Sequence, residues 1–329
     1  SEKEIQMKKV IITITGAAGN IAYSLIFRIL SGNIFPNDTK IQLNLLDIPS
    51  SKTILKGVKY EIEDCAFESL DSIVETDDPE IAFGDSDYIL LVGAKPRIKG
   101  MQRSDLLLDN ANIFKSQGEC INASSKKSSK IIVVGNPANT NALIVHKHTP
   151  NISDGNITSL MRLDQNRAKS IFASKVNIHV DDIKKLVVWG NHSATQYPDL
   201  SNVCIEGVNN LKTRYDNKWV YDSFIPRVQK RGAEIIECRG KSSAASAASA
   251  VYDHLNVIVN GSNDWESMGI ISDNKYDISP DVFYSFPLTF NSSNLSIVDN
   301  LSISNQSRSY LKKTEKELLD ERDVIKDLL

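Results

Sequence analysis

Residues 8–30 read KKVIITITGAAGNIAYSLIFRIL. The first eight are β-branched with almost no polar interruption, the mark of a strand buried on both faces. The last ten, IAYSLIFRIL, place apolar residues at helical spacing. Between them lies GAAGN, with Gly16 and Gly19 at the strand-to-helix turn. Strand, glycine turn and helix in that order open a parallel α/β sheet, because a parallel strand needs a crossover to reach its neighbour. The turn also suits a phosphate. Glycine lets the backbone come close, and the helix N-terminus offers free N–H groups and a positive dipole end. Gly16, Ala17, Ala18, Gly19, Asn20, Ile21 and Ala22 are therefore candidate cofactor contacts. Ala18 stands where the full GxGxxG fingerprint has its second glycine, so a plain strand-to-helix turn explains the stretch as well.

Downstream, IQLNLLD (41–47), YILLVG (88–93) and KIIVVGNP (130–137) are further strand patterns. Helical patterns lie between them, including 57–70 and 104–125. The second strand ends in Asp47, with no Arg or Lys directly following. A carboxylate there can accept hydrogen bonds from both hydroxyls of an adenosine ribose and would repel a 2′-phosphate, which favours NAD over NADP. Its separation from Gly19 exceeds the usual ~20 residues, and the hydrophilic insert SGNIFPNDTK (31–40) accounts for the excess.

After about Pro150 the pattern changes. RLDQNRAKSIFASKV (162–176) reads as a helix and KKLVVWGNH (184–192) as a strand ending in a polar loop. Long amphipathic and small-residue helices follow, then short strands such as DVFYSFPLTF (281–290). The C-terminal 309–329 reads as a surface helix packed on the body. The fold class predicted is α/β: a Rossmann-type doubly wound parallel sheet over 1–160, then a mixed α+β catalytic domain over 161–329.

Composition sets the outer bounds. The chain has 329 residues, a formal charge of −3 and 24% charged residues. Such a balance carries no electrostatic footprint for nucleic acid. No apolar run reaches the length of a membrane span, and SEKEIQMKKV lacks the apolar region of a secretory signal. Cys65, Cys120, Cys204 and Cys238 form no CxxC pair, which argues against a metal site or a disulfide framework and for reduced thiols in the cytoplasm.

Chemistry concentrates in three stretches. In VVWGNHSATQYP (187–198), His192 follows a strand end and Gly190. In the 162–176 helix, Asp164 and Arg167 are at i and i+3 and share a face. Asp164 can orient His192 and stabilise its protonated form, and Arg167 can present a planar fork to a carboxylate. A local helix ion pair explains the same two residues. Asn136 follows a strand and precedes Pro137, which fits either a substrate amide contact or a helix cap. Finally, GAKPRIKGMQR (93–103) puts Arg97 and Arg103 six apart beyond a buried strand. RGKSS (239–243) resembles the end of a P-loop, but Ile235 stands where its first glycine would be.

GAAGNIA, LLD, GAKPRIKGMQRSDLL, VGNPANTNA, RLDQNRAKS, WGNHSATQYP and RGKSSAASAA occur in the order, and at nearly the spacing, of malate dehydrogenases. The set most resembles the cytosolic-type branch of the lactate/malate dehydrogenase family, over most of residues 8–300. The resemblance implies that His192 passes the proton and that Asp164 orients it. Arg167 would clamp the carboxylate beside the reacting carbon, and Arg97 the second carboxylate of a four-carbon dicarboxylate, malate or oxaloacetate. Arg103 would polarise the reacting carbonyl, Asn136 would bond substrate, and Ser242 or Ser243 would line the pocket. Gly93, Asn110, Gln117, Val134, Gly135 and Asn136 would touch NAD. Gly93 and Gly100 would let the arginine loop open and close. The resemblance further implies a cytoplasmic homodimer, paired through helices such as Val58–Leu70. Ile98, Lys99 and Gln165 depart from the family's commoner text. Two other readings compete: a broader 2-keto acid reductase of lactate dehydrogenase type, and a catalytically silent NAD-binding protein.

Overall fold

The computed structural model describes residues 8–292 and 294–329; the opening 1–7, read above as lacking an apolar leader, lies outside the described residues. The first half alternates strand and helix: β1 Lys8–Thr15, α1 Asn20–Ser31, β2 Thr39–Leu46, α2 Lys52–Asp64, β3 Leu70–Thr76, α3 Pro79–Phe83, β4 Tyr88–Leu91, α4 Arg103–Ser124, β5 Lys130–Val133, α5 Ala138–Lys147 and β6 Ile157–Leu160. These six strands are parallel and lie in the order β3-β2-β1-β4-β5-β6. Strand order reverses between β1 and β4, which opens a crevice beyond their C-terminal ends. Ile12 and Ile14 at the centre are fully buried, each stabilising the fold by about 1.5–3 kcal/mol relative to exposure.

The second half begins with α6 Arg162–Val176 and short strands β7 Ile183–Lys184, β8 Val187–Trp189, β9 Tyr197–Asp199 and β10 Cys204–Ile205. There follow α7 Asn217–Trp219, α8 Ile225–Arg239, α9 Ala245–Asn260, β11 Ser262–Ile271, β12 Phe283–Asn291, β13 Asn294–Ile297 and α10 Asn305–Val324. The two halves share one sheet. β11 pairs antiparallel with β6, and β12 and β13 continue outward, giving nine strands. No described helix is long and apolar enough to cross a membrane.

Three elements differ from the sequence expectations. The pattern over 57–70 is not one helix: α2 ends at Asp64, Ala66 turns with φ +49, and Leu70 already begins β3. The apolar CAF segment carried the helical spacing past the true end. β6 (ITSL) and β11 (SNDWESMGII) gave no strand signal above, because neither alternates cleanly and both are held by neighbouring strands. The helix 162–176 has the bounds predicted for it.

Candidate active site

The turn after β1 forms one wall of a cavity of about 1200 Å³. Gly16 has φ +62, and a Cβ there would come within 2.5 Å of the Gly93 Cα. The two glycines let the β1 and β4 loops touch, and this close approach brings the α1 N-terminus to the cavity. Gly93 also donates its N–H to Thr15 Oγ1 at 3.2 Å. Gly100, with φ +86, retains the turn role. Asp47 stands at the cavity mouth, its Oδ2 accepting from Ala18 N–H at 2.9 Å and its Oδ1 from Ile48 N–H at 2.7 Å. It thus fixes the glycine turn while keeping lone pairs free. Gln117 lines the same cavity with a buried Oε1 that has no hydrogen-bond donor.

Not every expected cofactor contact faces this space. The lining includes Gly16, Ala18, Gly19, Asn20, Ile21, Ala22, Asp47, Gly93 and Gln117. Ala17 is fully buried behind it, donating its N–H to Leu46 O at 3.2 Å. Asn110 is also fully buried and already saturated: it accepts from Lys95 N–H at 2.8 Å and donates to Lys95 O and Leu106 O. Its place is behind the loop, holding Lys95. Val134 and Gly135 are buried under the crossover to α5, where Gly135 O accepts from Asn141 Nδ2.

The two residues expected to handle the proton are in contact. His192 Nδ1 is hydrogen-bonded to Asp164 Oδ2, and Arg167 Nη1 lies 3.8 Å from Asp164 Oδ1. Asp164 is completely buried, while His192 keeps 15% of its side chain exposed. Burial by itself would raise the Asp164 carboxyl, but the His192 charge and hydrogen bond, then Arg167 and Gln196, hold it below its ordinary value. Burial likewise pulls His192 down, and the charge and hydrogen bond of Asp164 outweigh it against Arg167, so the imidazole ends above its usual value. With Nδ1 committed to Asp164, Nε2 is the nitrogen left to exchange a proton.

Arg167 reaches further. Its Nη2 donates to Ser243 Oγ at 3.2 Å, and its buried Nε–H has no acceptor. Ser242 and Ser243 line the same cavity as the glycine turn, so Arg167 bonds a residue of the cavity wall. Arg97 and Arg103 are not gathered with these residues. The 95–100 segment is exposed, and Arg97 has no hydrogen-bond or ion-pair partner among the described residues. Arg103 opens α4 and lies 3.6 Å from Glu321 Oε2. Asn136 is exposed, and α5 opens without a side-chain cap, so the capping alternative does not hold.

Several residues that hold the 190–195 loop escaped the sequence reading. Asn139 Oδ1 accepts from His192 N–H at 3.0 Å, and its Nδ2 donates to Gly190 O and Phe283 O. Gln196 Nε2 donates to Asp164 Oδ1 at 2.9 Å, fixing the carboxylate's other oxygen. From α10, Thr314, Glu317 and Glu321 bond Asn191, and Glu317 also takes Ser193 and Thr195. Gly190, with φ +95, packs so closely that any Cβ would run into Thr314. The asparagine in NPANTNA sat beside the one singled out, but nothing local marks α10 as a neighbour of residue 192.

Residues 9–158 match the lactate/malate dehydrogenase NAD binding domain, and residues 161–328 match the lactate/malate dehydrogenase alpha/beta C-terminal domain. The chain belongs to the lactate/malate dehydrogenase family. It is an NAD-dependent oxidoreductase acting on a CH–OH group. Among solved structures, a malate dehydrogenase from Naegleria fowleri is 42% identical, with TM-score 0.95 over 98% of this chain and 99% of that one. A lactate dehydrogenase from Trichomonas vaginalis, solved with NADH and oxamate, is 37% identical, with TM-score 0.92 over 97% and 98%. A malate dehydrogenase from Plasmodium falciparum, at 20% identity and TM-score 0.82, shares the fold over 97% of this chain and 99% of that one. The glycine turn, Asp47 and the donor-less Gln117 fit the family's dinucleotide.

Proposed function

We propose that this lactate/malate dehydrogenase family member interconverts (S)-malate and oxaloacetate, as a member of the cytosolic-type branch. The observation that carries this reading is the supply of cations. Arg167 has a buried Nε–H without an acceptor beside the His192–Asp164 pair, and Arg97 is a second arginine without a partner among the described residues, on the exposed 95–100 segment. Two fixed cations suit two carboxylates.

In malate oxidation, His192 Nε2 takes the hydroxyl proton while the C2 hydrogen leaves as hydride. Bound NAD supplies the hydride acceptor. Asp164 holds the imidazolium that results, and Arg167 orients the carboxylate next to C2. Arg103, brought inward with its loop, stabilises charge on the reacting oxygen, and Asn136 hydrogen-bonds it. Closing the 94–102 loop excludes water and brings Arg97 to the distal carboxylate. Asn110, Val134 and Gly135 act on the dinucleotide by shaping the backbone around it.

A second reading has its own support: the 37% identical Trichomonas vaginalis relative is a lactate dehydrogenase. On that reading Arg97 stays outside the closed site and the enzyme reduces 2-keto acids more broadly.

Two further expectations belong here. Ile54 and Tyr60 on α2 are 59% and 51% exposed, which supports pairing of two copies through that helix. Cys65, Cys204 and Cys238 are free and exposed, which suits the reducing cytoplasm. The catalytic assignment is tested by His192→Asn, which should abolish turnover and leave NADH binding intact. Full activity in that variant overturns the proton-transfer role.

A further inference from the structure

Arg103 and the catalytic loop share one partner, Glu321 of α10, whose side chain is only 4% exposed. Its Oε1 accepts from Thr140 Oγ1 at 3.1 Å, and its Oε2 accepts from Asn191 Nδ2 at 2.8 Å. Arg103 Nη2 stands 3.6 Å from that same Oε2. One turn earlier on α10, Glu317 Oε1 accepts a hydrogen bond from Asn191 Nδ2 at 2.6 Å. Two acidic residues four apart on one helix face repel, and burial first, then Glu317, pushes the Glu321 carboxyl up. Arg103, after the Thr140 hydrogen bond, acts against both effects without overcoming them. It is itself 61% exposed, so it can leave.

We infer that Glu321 is a positioning residue that parks Arg103 outside the site and releases it only to a competing anionic substrate, while its bond to Asn191 ties that exchange to the loop carrying His192. The inference rests on the Arg103 role proposed above. Beside Glu321, Arg103 is not among the residues that line the cavity, so it has to leave that partner to act on the reacting carbonyl. When Arg103 moves in, Glu321 keeps Thr140 and Asn191 but loses its cation, so the open position is favoured until a substrate supplies replacement charge. A dicarboxylate brings more of that charge than a monocarboxylate. Glu321 thereby adds to the preference for dicarboxylates without touching substrate.

The test is steady-state kinetics of Glu321→Gln with oxaloacetate and with pyruvate at saturating NADH. Glutamine keeps an acceptor for Asn191 and removes the charge that holds Arg103. KM for oxaloacetate should fall about two- to fivefold, the worth of a partly exposed ion pair, with a larger fall for pyruvate and little change in kcat. A merely structural Glu321 would give lower kcat or a lower melting temperature with no fall in KM, and that result overturns the inference. Should Glu321→Gln not fold, Glu321→Asp shortens the reach to Arg103 and is expected to lower KM in the same way; an unchanged KM in that folded variant also overturns it. Arg103→Gln is measured in parallel. Full turnover in it removes the role assigned to Arg103, whereas lost turnover with no KM effect at position 321 removes the parking role alone.

Discussion

The carboxylate of Asp164 is held at both oxygens, one by His192 Nδ1 and the other by Gln196 Nε2. That leaves no freedom for the carboxylate to rotate away from the imidazole. Gln196 O in turn accepts from Gln229 Nε2 of α8 at 2.8 Å, so the pair is braced from the far side of the domain.

The pH profile should reveal this pair. His192 sits above its ordinary value because of Asp164. On the proposed reaction, malate oxidation needs the neutral imidazole and oxaloacetate reduction the protonated one. The kcat/KM for oxidation should therefore rise, and that for reduction fall, through one shared pKa above ~6.5. Asp164→Asn should lower that pKa and cut turnover by about 10²–10⁴. Profiles recorded in both directions check this. Limbs that do not coincide would deny a single proton-transfer group.

Asp47 has two duties, bracing the glycine turn through Ala18 N–H and facing the cavity mouth. Asp47→Ala should weaken NADH about 10–100-fold, from the loss of hydrogen bonds to a charged acceptor, with NADPH losing much less. Asp47→Asn keeps an acceptor for Ala18 and separates bracing from ribose binding. Titration of NADH fluorescence measures both. Unchanged NADH affinity in the alanine variant would remove Asp47 from the cofactor site.

A third expectation concerns stability. His254 of α9 is fully buried, with Nε2 at 2.8 Å from Thr158 Oγ1 of β6 and Nδ1 without a partner. Burial, then Arg162, lowers it to about 3. The unfolded chain takes up this proton below ~6.5 while the native state does not, so stability drains as pH falls from there towards 3. Between pH 6.5 and 5 the loss is about 2 kcal/mol. His192 does not obscure it: a raised group contributes stability that is complete below ~6.5 and fades only at higher pH. In urea melts, His254→Gln should flatten this slope while losing some stability at pH 8. An unaltered slope would mean that His254 takes a proton in the native state.

Much of the fold was readable because it rests on local signals. A strand buried on both faces, a glycine turn and an amphipathic helix are each written within about a dozen residues, and 8–30 contains all three. So does the Asp164–Arg167 spacing on α6. What was missed depends on distance. β11 is a strand because β6 and β12 flank it, and its own sequence alternates poorly. The C-terminal helix read as a surface element because most of its charges are solvated. Yet Glu315 and Glu321 are buried, Glu315 accepting from Ser279 N–H and Glu321 from Asn191 and Thr140, partners far away in the chain. Asn110 was placed near the dinucleotide by resemblance, whereas its amide is spent on Lys95. Arg97 stands on the exposed 95–100 segment without a partner among the described residues, and Arg103 stands at the start of α4 beside Glu321.

The most direct test of the account is NADH oxidation with oxaloacetate and with pyruvate. Arg97 enclosed without a second carboxylate would be a buried unpaired charge, costing about 3–5 kcal/mol. The expected result is a kcat/KM for oxaloacetate at least about a hundredfold above that for pyruvate, collapsing in Arg97→Leu. Comparable turnover of the two acids by the unaltered enzyme would contradict the assignment of Arg97 to the distal carboxylate and move this chain to the lactate side of its family.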